Sequence, residues 1–176
     1  MSNAHTEFKV PQDKTISLND YSTDESGGFD KKSAKKEVKN SISELKKLQR
    51  IFYADDRFSL LIVLQASDTA GKDGVIRHVM SGINPQGCRV HSFKTPSKEE
   101  LDHDYLWRHY KALPERGMIE IFNRSHYENV LATKVNPSFI LNENLPGIDS
   151  VDDIDDVFWQ KRYEQINNFE KHLYQN

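Results

Sequence analysis

Apolar residues recur at helical spacing through Val38, Ile42, Leu45, Leu48, Ile51 and Phe52, which predicts a helix from residue 31 to about residue 54 with lysines over its other face. Residues 57–65 (RFSLLIVLQ) form a continuous apolar, β-branched run, the pattern of a strand buried on both faces of a parallel sheet. The chain then turns polar and glycine-containing, and helical spacing returns over 74–83 through Val75, Ile76, Val79 and Met80. NPQG at 84–87 predicts a turn, and 88–93 a second strand. Ser97 with Glu100 forms a capping-box signature, opening a helix through Leu101, Tyr105, Leu106, His109 and Tyr110 up to Pro114. GMIEIF at 117–122 predicts a third strand, and another helix is expected from 126 to about 134. Val151, Ile154, Val157, Phe158, Ile166, Phe169 and Leu173 set a last helix. The Asp run at 152, 153, 155 and 156 falls in its first turns, where acids favour the helix dipole.

Strands alternating with helices predict an α/β fold with a parallel sheet and right-handed crossovers. Residues 1–30 lack periodicity and read as a flexible arm, with 31–176 as the core. The last helix delivers the chain to no further strand, so the sheet is expected to be incomplete, completed by more chain or by a partner. A long apolar-striped helix and an open sheet edge both suit a homo-oligomer.

The composition narrows this picture. A chain of 176 residues, 36% hydrophobic and 29% charged, suits one domain. Its net charge of -3 gives no global pull toward nucleic acid or anionic membrane, so a polyanion must be bound locally. Lys31, Lys32, Lys35, Lys36 and Lys39 read as a solvated helix face in preference to a polyanion strip. The single cysteine, Cys88, allows no internal disulfide and suits a reducing cytoplasm. No apolar run approaches the roughly 18 residues of a membrane span. His103 and His109 lie six apart, on different helix faces, which argues against zinc.

The candidate chemistry lies in LQASDTAGKDG, residues 64–74. It departs from the phosphate-loop pattern GxxxxGK(S/T) at Ala66 and Asp73, yet it leaves a buried strand and enters a helix, so backbone N–H groups and the helix start face one anion. Ala70 and Gly71 let backbone approach phosphate, and Lys72 supplies a point charge. Ala66 is tolerable where positive φ is not needed. Asp68 and Asp73 are candidate Mg²⁺ ligands, with Asp68 preferred because it lies within the loop. Asn123, Arg124 and Ser125 close the third strand and should enter the same crevice, where arginine forks onto phosphate oxygens. Lys94 ends the second strand equivalently, and Arg77 lies one helical turn past Lys72.

DTAGKDGVIRHVMSGINPQGCRVHSFKTPSKEELDHDYLWR together with IEIFNRSHYENVL closely resembles the family-2 polyphosphate kinases, P-loop enzymes related in fold to thymidylate kinase. The resemblance covers about residues 31–176. It implies a three-layer α/β/α fold and Mg²⁺-dependent phosphoryl transfer between inorganic polyphosphate and a nucleoside mono- or diphosphate. Asn123 resembles the branch that uses AMP and ADP. Asp68, Lys72 and Arg124 match catalytic and phosphate-binding positions, with Asp68 as the metal ligand. Thr69, Ala70, Gly71, Asp73, Gly74, Arg77, Lys94 and Asn123 complete the expected phosphate- and nucleotide-contacting set. Asp73 is common in such sequences, whereas Ala66 departs from them. A further strand and a basic lid, usual in the family, have no counterpart here. A noncatalytic polyphosphate- or nucleotide-binding piece, or an ATP-dependent nucleoside monophosphate kinase, are the alternative readings.

Overall fold

A computed structural model describes residues 9–11 and 14–176, so the expected arm lies partly outside the described residues. Its described part holds a 3-10 turn at Leu18–Asp20. Helix α1, Lys31–Asp55, begins at Asp30, whose carboxylate accepts from the N–H groups of Lys32 and Ser33 at 2.7 and 2.8 Å. The helix stops where Asp56 enters the left-handed region at φ 51°.

The way α1 is seated corrects the expectation from its apolar stripe. Ile42, Leu45 and Phe52 of the stripe are half-buried, but Val38, Leu48 and Ile51 remain 43%, 61% and 67% exposed, and the helix's one fully buried residue is Gln49. Gln49 Nε2 donates to the Asn84 carbonyl at 2.9 Å, and its Oε1 accepts from the Asn84 N–H at 3.0 Å. The helix is seated over turns that precede strands, and these offer backbone polar groups and little room. A Cβ at Gly117 (φ 75°) would lie 3.1 Å from the Tyr53 carbonyl. An amide that satisfies both backbone groups of one residue outcompetes an aliphatic contact there.

Strands β1 (Leu60–Leu64), β2 (Cys88–Ser92) and β3 (Ile119–Asn123) form a parallel sheet in the order β1-β3-β2. That order reverses the burial expected from sequence. The long apolar run contributes an edge strand that is only half-buried, whereas Ile119, Ile121 and Phe122 of central β3 are 3%, 1% and 0% exposed. Phe93 packs edge-on to Phe122 at 4.8 Å between ring centroids. The register pairs Leu64 and Ser92 each with Asn123, so all strands end in one row.

Helix α2 spans Lys72–Val79. The single helix expected from Ser97 to Pro114 is instead α3 (Lys98–Leu101) and α4 (Trp107–Lys111). The capping box forms, with the Ser97 N–H donating to Glu100 Oε2 at 2.7 Å. Asp104 then accepts from the Leu106 N–H at 2.9 Å, a local side-chain bond that competes with helix continuation. The helix expected from 126 is a 3-10 turn, His126–Asn129, followed by α5, Ala132–Val135. Helix α6 spans Asp156–Gln175 and starts later than its apolar period suggested. The Asp run does cap: Asp155 accepts from the Phe158 N–H at 2.8 Å, and Asp153 from those of Asp149 and Ser150. No helix among the described residues is long and apolar enough to cross a membrane.

Candidate active site

The loop between β1 and α2 folds around Lys72. Its ammonium donates to the carbonyls of Ala66 and Ser67 at 2.7 and 2.8 Å, tying the start of the loop to the start of the helix. Gly71, which caps α2, has φ 91°, a left-handed conformation that favours glycine. Ala66 is not among the positive-φ residues, so the missing glycine costs no backbone strain. That strain falls on Thr69 at φ 65°, a conformation uncommon for a β-branched residue.

Arg124 faces this loop from the end of β3. Its N–H donates to the Leu64 carbonyl at 3.0 Å, extending the β1–β3 ladder by one residue, and its own backbone sits at φ 64°. The guanidinium forks. Nη2 donates to Asp68, whose side chain is 81% exposed, and Nη1 donates to Glu128 Oε1 at 3.2 Å. The same Glu128 oxygen accepts from Gln65 Nε2 at 2.7 Å. Asn123 donates to Asp73 Oδ1 at 2.7 Å.

A cavity of about 660 Å³ opens beside this cluster, with Asp68, Arg124 and Glu128 on one wall and Phe93, Lys94 and Arg108 on another. Arg108 Nη2 donates to the Lys94 carbonyl at 2.9 Å, and the guanidinium lies 5.1 Å from the Phe93 ring centroid. Arg108 Nε is 3.2 Å from Glu100 Oε1, an ion pair whose angle leaves the buried Nε without a hydrogen bond. His109 forms part of the floor. Burial first, then the neighbouring His126, Arg108 and His91, push its pKa down to about 3, so the ring is neutral at ordinary pH.

The structure thus brings together Asp68, Thr69, Ala70, Gly71, Lys72, Asp73, Asn123 and Arg124, and places Lys94 on the adjoining cavity wall. Gly74 lies in the first turn of α2. Arg77 is exposed on α2 and does not line the cavity. Sequence reasoning missed Gln65, Arg108 and Glu128. Glu128 stands four residues from Arg124, a spacing worth scanning for charge partners. Gln65 offers no comparable signal.

Among the described residues no cluster of three or more His, Cys, Asp or Glu could hold a metal ion by itself. Mg²⁺ is ordinarily held by one or two carboxylates, with waters and substrate phosphates completing the shell. The exposed carboxylates of Asp68 and Asp73 fit that donor set.

A phosphate loop joining an edge strand to a helix, answered by an arginine at the next strand's end, defines a P-loop kinase-like fold. The chain belongs to the polyphosphate kinase 2 family, whose model matches residues 28–176. It is 44% identical over 171 residues to an ADP-polyphosphate phosphotransferase of Rhodopseudomonas palustris, covering 97% of this chain and 58% of that protein. It is 39% identical over 168 residues to an AMP/ADP-polyphosphate phosphotransferase of Meiothermus ruber, covering 94% of this chain and 57% of that protein. The crystal structure of polyphosphate kinase 2 from Arthrobacter aurescens TC1 superposes with a TM-score of 0.81 at 32% identity, over 97% of this chain and 56% of that one. The chain therefore spans somewhat over half the length of these relatives.

Proposed function

We propose that residues 31–176 carry the phosphate-binding core of a Mg²⁺-dependent phosphotransferase that moves a phosphoryl group between inorganic polyphosphate and AMP or ADP. The observation that carries this reading is the Arg124 fork, set between the loop and the mouth of the cavity. The loop and Lys72 hold the phosphoryl donor, and the cavity holds the acceptor nucleotide.

A terminal phosphate oxygen of the acceptor attacks the terminal phosphorus of polyphosphate. The bridging P–O bond breaks, and the shortened polymer leaves with the electron pair. The acceptor oxygen is already anionic near neutrality, so catalysis is chiefly positioning and charge stabilisation. Arg124 Nη2 exchanges Asp68 for a phosphate oxygen, and Lys72 turns from the loop carbonyls toward the donor. Asp68 or Asp73 would hold Mg²⁺, which would supply positive charge to offset that of the phosphates. The single cysteine, Cys88, is in keeping with a reducing, cytoplasmic setting.

The alternative reading is a noncatalytic module that binds polyphosphate without turning it over. Nucleotide conversion with long-chain polyphosphate, Mg²⁺ and either AMP or ADP separates the two. Formation of ADP or ATP that vanishes in Lys72→Ala supports transfer. Binding without conversion supports the second reading.

A further inference from the structure

Arg124 has two carboxylate partners of unequal standing. The Asp68 side chain is 81% exposed and that of Glu128 is 26% exposed. An exposed partner on a loop exchanges readily, whereas a half-buried one fixed by further bonds does not. Glu128 is fixed in that way. Its Oε1 accepts from both Gln65 and Arg124. Gln65 Oε1 accepts from Ser125 Oγ at 3.1 Å, and Ser125, 1% exposed, also caps the following turn through the Tyr127 N–H. The hydrogen bonds close a ring through Arg124, Ser125, Gln65 and Glu128, linking the first residue of the loop to the end of β3. Residues 126–129 form a 3-10 turn, so Glu128 meets Arg124 through this ring and not as a neighbour along an α-helix.

We propose that Glu128 is a positioning residue: it pins Arg124 Nη1 and, through Gln65, the start of the loop, leaving Nη2 alone to exchange Asp68 for a phosphate oxygen. This rests on the phosphate-binding reading of the site. Asp68, paired with Nη2, then acts as an internal competitor for phosphate, and its carboxylate marks where a phosphate oxygen would sit. Without Glu128, the freed guanidinium closes bidentately on Asp68, the favoured geometry of an arginine–carboxylate pair, and Asp68 competes more strongly with phosphate.

A double-mutant cycle on metal-free tripolyphosphate binding by calorimetry tests this. Glu128→Ala is expected to weaken binding about five- to tenfold in the wild-type background and less than about twofold beside Asp68→Asn. Glu128→Gln, which keeps the acceptor oxygen, should recover most of the affinity, and its thermal melt checks the fold. An equal loss in both backgrounds would assign Glu128 a merely structural role and overturn the proposal, as would no loss in either. If tripolyphosphate fails to bind the wild-type chain while the fold is intact, the phosphate reading itself falls, and the Glu128 assignment with it.

Discussion

His109 should make stability fall as pH drops below the ordinary histidine range. The ring is 2% exposed, lies tilted against Phe93 with 4.1 Å between centroids, and faces His126, Arg108 and His91. Its folded pKa of about 3 lies below the ordinary histidine value of 6.5, so the neutral ring is the form the fold accepts. A depressed histidine pKa contributes stability that is fully present above the unfolded pKa and is lost as pH falls toward the folded one. Between those values the unfolded chain binds the extra proton, and linkage gives a loss of about 2 kcal/mol from this residue by about pH 5. His126 is shifted in the same direction, by burial, against the opposing pull of Glu170. Glu120 and Glu143, both raised first by burial, work with the opposite sign, so the diagnostic quantity is a difference. Urea unfolding of wild type and His109→Leu between about pH 5 and pH 7.5 should show a shallower pH slope in the variant, whatever its absolute stability. Parallel slopes would refute the assignment of a neutral, acid-sensitive His109.

Phe122→Ala should cost about 3–5 kcal/mol in chemical denaturation, because it empties the centre of β3 against Phe93. Arg162→Leu should cost a comparable amount, about 3–5 kcal/mol by the same assay, since it strands the Glu143 carboxylate that pairs with Arg162 at 2.5 Å. Asn123→Asp brings a second carboxylate against Asp73 in place of the present 2.7 Å hydrogen bond. Without divalent cation the melting temperature should fall by a few degrees, for about 1 kcal/mol of like-charge repulsion, and Mg²⁺ should restore it.

Much of the site was legible because its chemistry is local. A strand, a small-residue loop and a lysine opening a helix fall within residues 58–83, so the strand–loop–helix geometry could be read without any distant residue. Asn123 and Arg124 were reachable by the rule that ligands collect at the carboxyl ends of parallel strands. Gln65 was not, because its bond to Glu128 joins residues 63 apart in the chain and glutamine is not unusual where it stands, whereas Glu128 was signalled only by its spacing from Arg124. The fold shows the same division. The strands were placed closely, but their burial was inverted, because hydrophobic content cannot say that the shorter IEIF segment takes the middle of the sheet. Ser97 announced its helix correctly, and Asp104 broke that helix through one side-chain bond too local to disturb the apolar period.

The seating of α1 through Gln49 sets an order of events in hydrogen exchange. Its attachment combines the paired bonds between Gln49 and Asn84 with the half-buried Ile42, Leu45 and Phe52, while Leu48 and Ile51 stay exposed. Opening this helix therefore exposes little new apolar surface and needs much less free energy than opening β3, whose side chains lie in the core. Amides along α1 should take up deuterium while those of Ile121 and Phe122 remain protected, with the loop at 65–71 still held by β1 and β3. The molecule is then two cooperative units of unequal depth, with the loop at 65–71 belonging to the deeper one.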